Sequence, residues 1–220
     1  ASIYEEVHYV TSTVKTQDKK VYGEKSSYGR RYTTDNIYYT TAYLAYKKGA
    51  DGISAFNFPY YRFLEKEPPF DVFKNLADYD FLSHQPQYYV YADSWQPGAV
   101  RLLTRDSKVG NNNVLRVTME LASPKDGWQK TGRMRAMFLK DVANDKIQAK
   151  INGKVLEMTA DISEPYESQF EPTGPLVCTA ANTKAWVVPA EIVKDGNNQF
   201  EFEMISGQEN TINYIDLAMP

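Results

Sequence analysis

The sequence predicts an α/β segment followed by an all-β domain, an antiparallel sandwich of jelly-roll-like type. Three observations carry that prediction. Within the first 84 residues a strand, a helix and a second strand with apolar residues on both faces follow one another, the pattern of a βαβ unit with a parallel sheet. From Gln85 onward the pattern changes to short strands separated by turn signals. Near the C-terminus Phe200 and Phe202 alternate with Glu201 and Glu203, so one face of that strand is dry and the other wet.

Taken in chain order, residues 2–10 are β-branched and aromatic and read as a strand. Residues 11–31 read as a polar, glycine-containing loop, whose Lys19 and Lys20 fit a solvated surface better than a binding patch. A helix is expected over 34–48. Thr34 suits the N-cap, Asp35 the positive end of the dipole, and Ile37, Thr41, Leu44 and Ala45 share a face. Lys47 and Lys48 occupy the last turn, and Gly49 stands where a left-handed cap is wanted. Residues 52–58 form the doubly apolar strand. Pro68-Pro69 and His84-Gln85-Pro86 flank a short helix over 71–82, which bridges a domain of residues 1–84 to one of residues 85–220. In the second domain strands are expected over 100–104, 114–121, 134–139, 147–151, 185–188, 200–204 and 212–217. Asn152-Gly153 is the strongest hairpin signal in the chain, and Lys194-Asp195-Gly196-Asn197-Asn198 is a second turn leading into a strand.

Composition narrows the function classes. A net charge of −3 argues against nucleic acid as the main partner, because phosphate neutralisation needs a basic face. No apolar run is long enough to span a membrane. Cys178 stands alone, which excludes an internal disulfide, a thiol-rich zinc site and a CxxC pair; it reads as a small buried hydrophobe. His8 and His84 lack ligand spacing, and no nucleophile elbow, dinucleotide fingerprint or phosphate loop occurs. No cofactor is therefore expected. The 17 Tyr, 10 Phe and 3 Trp suit β-structure and also surfaces where a flat ring meets the C–H face of a sugar.

The run from Leu44 to Phe58, with Gly49-Ala50-Asp51-Gly52-Ile53 before Phe56-Asn57, resembles the final helix and eighth strand of (β/α)8-barrel glycoside hydrolases. More narrowly it resembles a bacterial group in which a linker helix and a galactose-binding-type sandwich follow the barrel. Ile151-Asn152-Gly153-Lys154 is similar to that group's hairpin, and Lys194 to Phe200 to its second turn. A barrel needs about 250 residues, and only 84 precede the sandwich here. The resemblance therefore implies that residues 2–10 are strand seven, residues 34–48 helix seven and residues 52–58 strand eight, with roughly six βα units of the same protein lying upstream. It implies an extracellular or periplasmic location, although the first residues, Ala1 to Glu6, carry no signal peptide. It also implies hydrolysis of glycosidic bonds in a poly- or oligosaccharide.

Such hydrolysis uses paired carboxyl groups at the C-terminal ends of barrel strands. Glu5 and Glu6 end the expected seventh strand, and alternation turns Glu6, rather than Glu5, toward the barrel mouth. Glu6 is thus the expected nucleophile or base; solvated acids at a frayed end are the plainer reading. Asn57 is placed to bond a sugar hydroxyl or to cap the turn into Pro59. Tyr60, Tyr61 and Phe63 form either a stacking platform or a seal against the sandwich. Trp128, after the turn Pro124-Lys125-Asp126-Gly127, is the expected solvent-facing indole, whereas Trp186 reads as core. Two other readings remain: a non-catalytic carbohydrate-binding or structural sandwich, and a small α+β subdomain in which no barrel exists.

Overall fold

The computed structural model describes residues 4–8, 10–15, 28–56, 58–92, 101–102, 107–110 and 113–220. Strand β1 (Tyr4–His8) leads into a hairpin of β2 (Val10–Lys15) and β3 (Tyr28–Tyr32), then into helix α1 (Asp35–Lys47) and strand β4 (Gly52–Phe56). β1 and β4 pair in parallel, with Tyr4 opposite Gly52 and His8 opposite Phe56, so α1 is a crossover of the expected kind. The hairpin replaces the expected loop over 11–31. Its arms are built from the β-branched run Val10-Thr11-Ser12-Thr13-Val14 and from Tyr28 to Tyr32, and that propensity outweighs the polarity of the connection. Lys19 and Lys20 lie outside the described residues.

The caps of α1 are those the sequence predicts. The Thr34 hydroxyl accepts from the Ile37 amide at 3.3 Å, and Gly49 takes φ +88° just past the end. Burial is wider than one stripe, because the helix has two neighbours. Tyr38, Ala42 and Tyr43 pack with Phe58, Tyr61, Val72, Leu76 and Leu82, while Ile37 packs on the sandwich. Each such large apolar side chain, when fully buried, contributes about 1.5–3 kcal/mol. Leu44 is only half-buried. Beyond β4 the chain forms two 3-10 segments, Phe58–Leu64 and Phe70–Lys74, and a single-turn α2 (Tyr79–Leu82). The continuous bridge helix over 71–82 is thereby corrected. Asp78 starts a new helix instead, its carboxylate accepting from the Phe81 amide at 3.0 Å.

The rest is sandwich. β5 (Gln87–Ala92), β6 (Arg101–Leu102), β7 (Lys108–Val109), β8 (Leu115–Leu121), β9 (Gly132–Phe138), β10 (Lys146–Ile151), β11 (Lys154–Val155), β12 (Met158–Thr159), β13 (Thr183–Val188), β14 (Gly196–Ser206) and β15 (Asn210–Met219) make two sheets. One runs β11-β10-β14-β8; the other runs β12-β13-β9-β15-β5-β6, with β7 also on β15. Pairing is antiparallel except between β5 and β6. Between the sheets lie Val117, Met119, Phe200, Phe202, Ile147 and Ile151 from one side, and Met134, Phe138, Trp186, Ile215 and Leu217 from the other.

Both predicted turns hold. Asn152 and Gly153 have φ +51° and +79°, as a two-residue hairpin requires. Asn152 Nδ2 donates to Asn198 Oδ1 at 2.8 Å, and Asn198 in turn donates to Lys194 O and Gly196 O, so one asparagine pair pins both turns. The outer face of the larger sheet is also covered: Tyr88, Val90, Met137 and Tyr214 meet Ile37 of α1 and Leu176. A bulge in β15 makes this possible. The register shifts between Ile212 and Tyr214, so Ile215 and Leu217 point between the sheets while Tyr214 and Asp216 point outward.

Candidate functional site

β1 and β4 end side by side at His8 and Phe56; Glu5, opposite Ile53, and Glu6, opposite Ser54, lie further back, Glu6 at the middle of β1 rather than at its end as expected. Ligand sites of parallel α/β sheets open at such ends. Asn57, expected next to this edge, lies outside the described residues. Tyr60 follows in the first 3-10 segment and is 42% exposed. Tyr61 is buried, stacks on Phe170 and donates its hydroxyl to Thr33 O at 3.4 Å. It therefore seals the cluster beneath α1 rather than standing as an open platform. Trp128 does follow the expected turn, with Gly127 at φ +73°, but its ring packs half-buried on the sandwich core. Its indole N–H donates to Gln87 Oε1 at 2.9 Å, so that polar edge is committed within the protein.

What sequence reasoning missed lies on the outer face of the larger sheet. Arg135 and Asp216 are cross-strand neighbours on β9 and β15, each 1% exposed. Arg135 donates through Nη2 to Asp216 Oδ2 at 2.6 Å and through Nε to Asp216 Oδ1 at 3.1 Å, and Nη1 reaches Ile162 O and Ser163 O. Tyr88 donates its hydroxyl to Asp216 Oδ2 at 2.7 Å and lies 3.2 Å from the hydroxyl of Tyr214. Arg31, at the end of β3, enters the same cluster. Its guanidinium sits 4.7 Å from the Tyr214 ring centroid, donates to Leu176 O at 2.8 Å and pairs with Glu164. Glu164 also takes a bond from Arg135 Nη2 at 3.0 Å. The signal was visible as Arg135 inside Met134-Ala136-Met137 and Asp216 between Ile215 and Leu217: charges in strands otherwise apolar.

The electrostatics of this cluster are one-sided. Partial burial alone would raise the Glu164 carboxyl, but Arg31 and Arg135 pull it down to about 2. Burial also works against the charge of Arg31, and Tyr214, Tyr88 and Glu164 more than reverse it. Tyr88 and Tyr214 are pushed well up by burial and stay protonated, and Tyr166 is pushed up to about 12 by the same cause. Near neutral pH, Glu164 is then an acceptor with no proton to give. The cluster can bind and orient hydroxyl groups through that acceptor and the protonated tyrosine hydroxyls.

A pocket of about 370 Å³ opens over this cluster, within the range of small-molecule sites. Its floor is Arg31, Tyr88 and Tyr214, and its walls come from Tyr32 and Thr34 on one side and from Glu164 to Pro172 on the other.

No family model matches the sequence, and no curated protein does. Among solved structures the chain is similar to a β-porphyranase of glycoside hydrolase family 86 from the human gut bacterium Bacteroides plebeius. The identity is 12% and the TM-score 0.36, over 60% of this chain and 20% of that one. It is similar also to BuGH86 in complex with neoagarooctaose, at 10% identity and TM-score 0.34, over 60% of this chain and 19% of that one. Its neighbours are glycoside hydrolases of family 86. The chain spans about a fifth of the length of each.

Among the described residues no cluster of His, Cys, Asp and Glu is arranged to hold a metal ion, and no helix is long and apolar enough to cross a membrane. His84 Nδ1 sits against Asp80 O at 2.7 Å at the end of α2, a local helix-end contact. Cys178 is half-buried between Met137 and the Arg31 guanidinium, and burial pushes its thiol up, away from nucleophilic use.

Proposed function

We propose that this chain is the C-terminal part of a glycoside-hydrolase-like protein that cleaves glycosidic bonds with paired carboxylates. The observation that supports the reading is the parallel pairing of β1 and β4 across the crossover α1, with Glu6 at the middle of β1, two residues before its C-terminal His8. A two-stranded parallel sheet is not a stable unit by itself, because parallel strands are buried between layers. β1 and β4 are consecutive strands of a larger barrel sheet in this reading, and residues 1–84 and 85–220 are its last elements and a sandwich domain. Glu6 acts as nucleophile or base, Glu5 stands beside it, and Asn57 bonds a sugar hydroxyl. The partnering acid belongs to upstream strands of the same protein. Its substrate is a poly- or oligosaccharide met outside the cell or in the periplasm.

The test is hydrolysis by the full-length protein and by its Glu6→Gln variant. The variant should lose about 10²–10⁴-fold in kcat with its melting temperature unchanged; full activity would remove Glu6 from the site. A second reading, a non-catalytic carbohydrate-binding module, is favoured by one observation. The carboxylates over the sandwich, Glu164 and Asp216, are both locked by arginines.

A further inference from the structure

The pocket beside Arg31 is made jointly by the α/β segment and the sandwich, as ligand sites at domain seams commonly are. Its floor is more elaborate than packing requires. Replacing a buried ionic cluster by apolar residues of similar size is often neutral or stabilising, so Arg31, Arg135, Glu164 and Asp216 are weakly explained as a stability device. They do hold two groups still in the pocket: the Arg31 guanidinium in its floor, and the Glu164 carboxylate in its wall, whose side chain keeps 37% of its surface open. Around them stand partly buried rings, Tyr32, Tyr166 and Phe170, the last also stacked on Tyr61 at 5.7 Å. Tyr32 lies against Phe170 at 4.6 Å between centroids, and Tyr166 against Tyr88 at 5.4 Å. Fixed polar groups that take and give hydrogen bonds, flanked by partly buried rings, suit a pyranose, which shows hydroxyls at its rim and C–H bonds on its faces.

Charge decides what kind of sugar. One arginine faces three glutamates, Glu164, Glu167 and Glu171, the last two exposed at the rim. A sulfated or uronic unit would meet a surplus of negative charge, and Arg31 is already paired. We infer that this pocket is a binding subsite for a neutral sugar unit, formed by Arg31, Tyr32, Glu164, Tyr166 and Phe170. The inference deepens the proposed function and rests on it for the length of the glycan. The pocket lies by Thr34 at the N-terminal end of α1, the crossover between the paired strands β1 and β4.

The test is binding of neutral gluco-, galacto-, manno- and xylo-hexaoses, and of oligogalacturonate as the anionic probe, to this chain, followed by amide chemical shifts. At least one neutral hexaose should shift residues 31–34 and 163–172, and oligogalacturonate should not. Tyr166→Ala and Phe170→Ala should each weaken binding about tenfold, while Tyr79→Ala, an exposed ring elsewhere, should leave it unchanged. No shift with any neutral hexaose at the highest soluble concentration overturns the inference, as does binding of oligogalacturonate alone. Shifts confined to other surfaces overturn it too. Because these are wild-type measurements, a variant that fails to fold does not weaken them. Hydrolysis that depends on Glu6 without shifts here would sink the subsite and spare the proposed function; shifts here without hydrolysis would do the reverse.

Discussion

The charges at the seam set both its stability and its pH response. Asp216 and Arg135 are almost fully buried, and removing the Asp216 charge leaves Arg135 with the more exposed Glu164 as its counter-charge. Asp216→Asn should cost about 3–5 kcal/mol in denaturant unfolding, whereas Asp216→Leu combined with Arg135→Met should cost far less. A double substitution as damaging as the single one would mean the pair is needed for more than mutual neutralisation. Glu164 gives the pH prediction. Its carboxyl titrates at about 2 in the folded chain against an ordinary 4.5, so the stabilisation is complete above the unfolded value and is lost as pH falls from about 4.5 toward 2. Wild type should therefore exceed Glu164→Gln by about 1–2 kcal/mol at pH 7, discounted for the open face of the carboxylate, with the gap closing near pH 2. Melting curves of both proteins across that range decide it.

Among the elements, β9 and β15 carry the most constraint. A methyl group at Gly132 would stand 2.3 Å from Met219 Sδ and 2.6 Å from Ala218 O, and the carbonyl belongs to a paired strand that cannot retreat. Gly132→Ala should destabilise by about 1–3 kcal/mol, read from the denaturant midpoint. An unchanged midpoint would mean the two strands separate more easily than their pairing implies. Elements whose local chemistry is self-contained were legible in the sequence: the capped α1, the Asn152-Gly153 hairpin, and the alternating β14. Those shaped by distant neighbours were not. β5 is buried on both faces, by the sandwich core and by α1, so Tyr88, Tyr89 and Tyr91 show no alternation, and the strands expected in this domain begin only at residue 100. In β15 the bulge resets the alternation, which hid the outward face that holds Tyr214 and Asp216. The pocket was illegible for the same reason, since its parts come from β3, α1, β5, β15 and the stretch over 164–172.

On the scale of the whole molecule, α1 ties the α/β segment to the sandwich at both of its ends. Ile37 is buried in the sandwich face, and at the other end Lys47 reaches Asp195 at 2.6 Å and Tyr43 donates to Ser123 O at 2.8 Å. Residues 85–220 expressed alone should therefore bind a hydrophobic dye and melt below the whole chain, because Tyr88, Val90, Met137 and Tyr214 would lose their cover. An equal melting temperature would make the docking dispensable. Those contacts bring the α/β segment and the sandwich together around the pocket. Reducing-end release from neutral polysaccharides by the full-length protein and its Glu6→Gln variant is the measurement that decides whether the protein hydrolyses glycans. The wild type should release reducing ends, and the variant should lose about 10²–10⁴-fold at unchanged stability. Equal rates in the two proteins, or no release from any glycan by the wild type, would contradict the proposed hydrolysis.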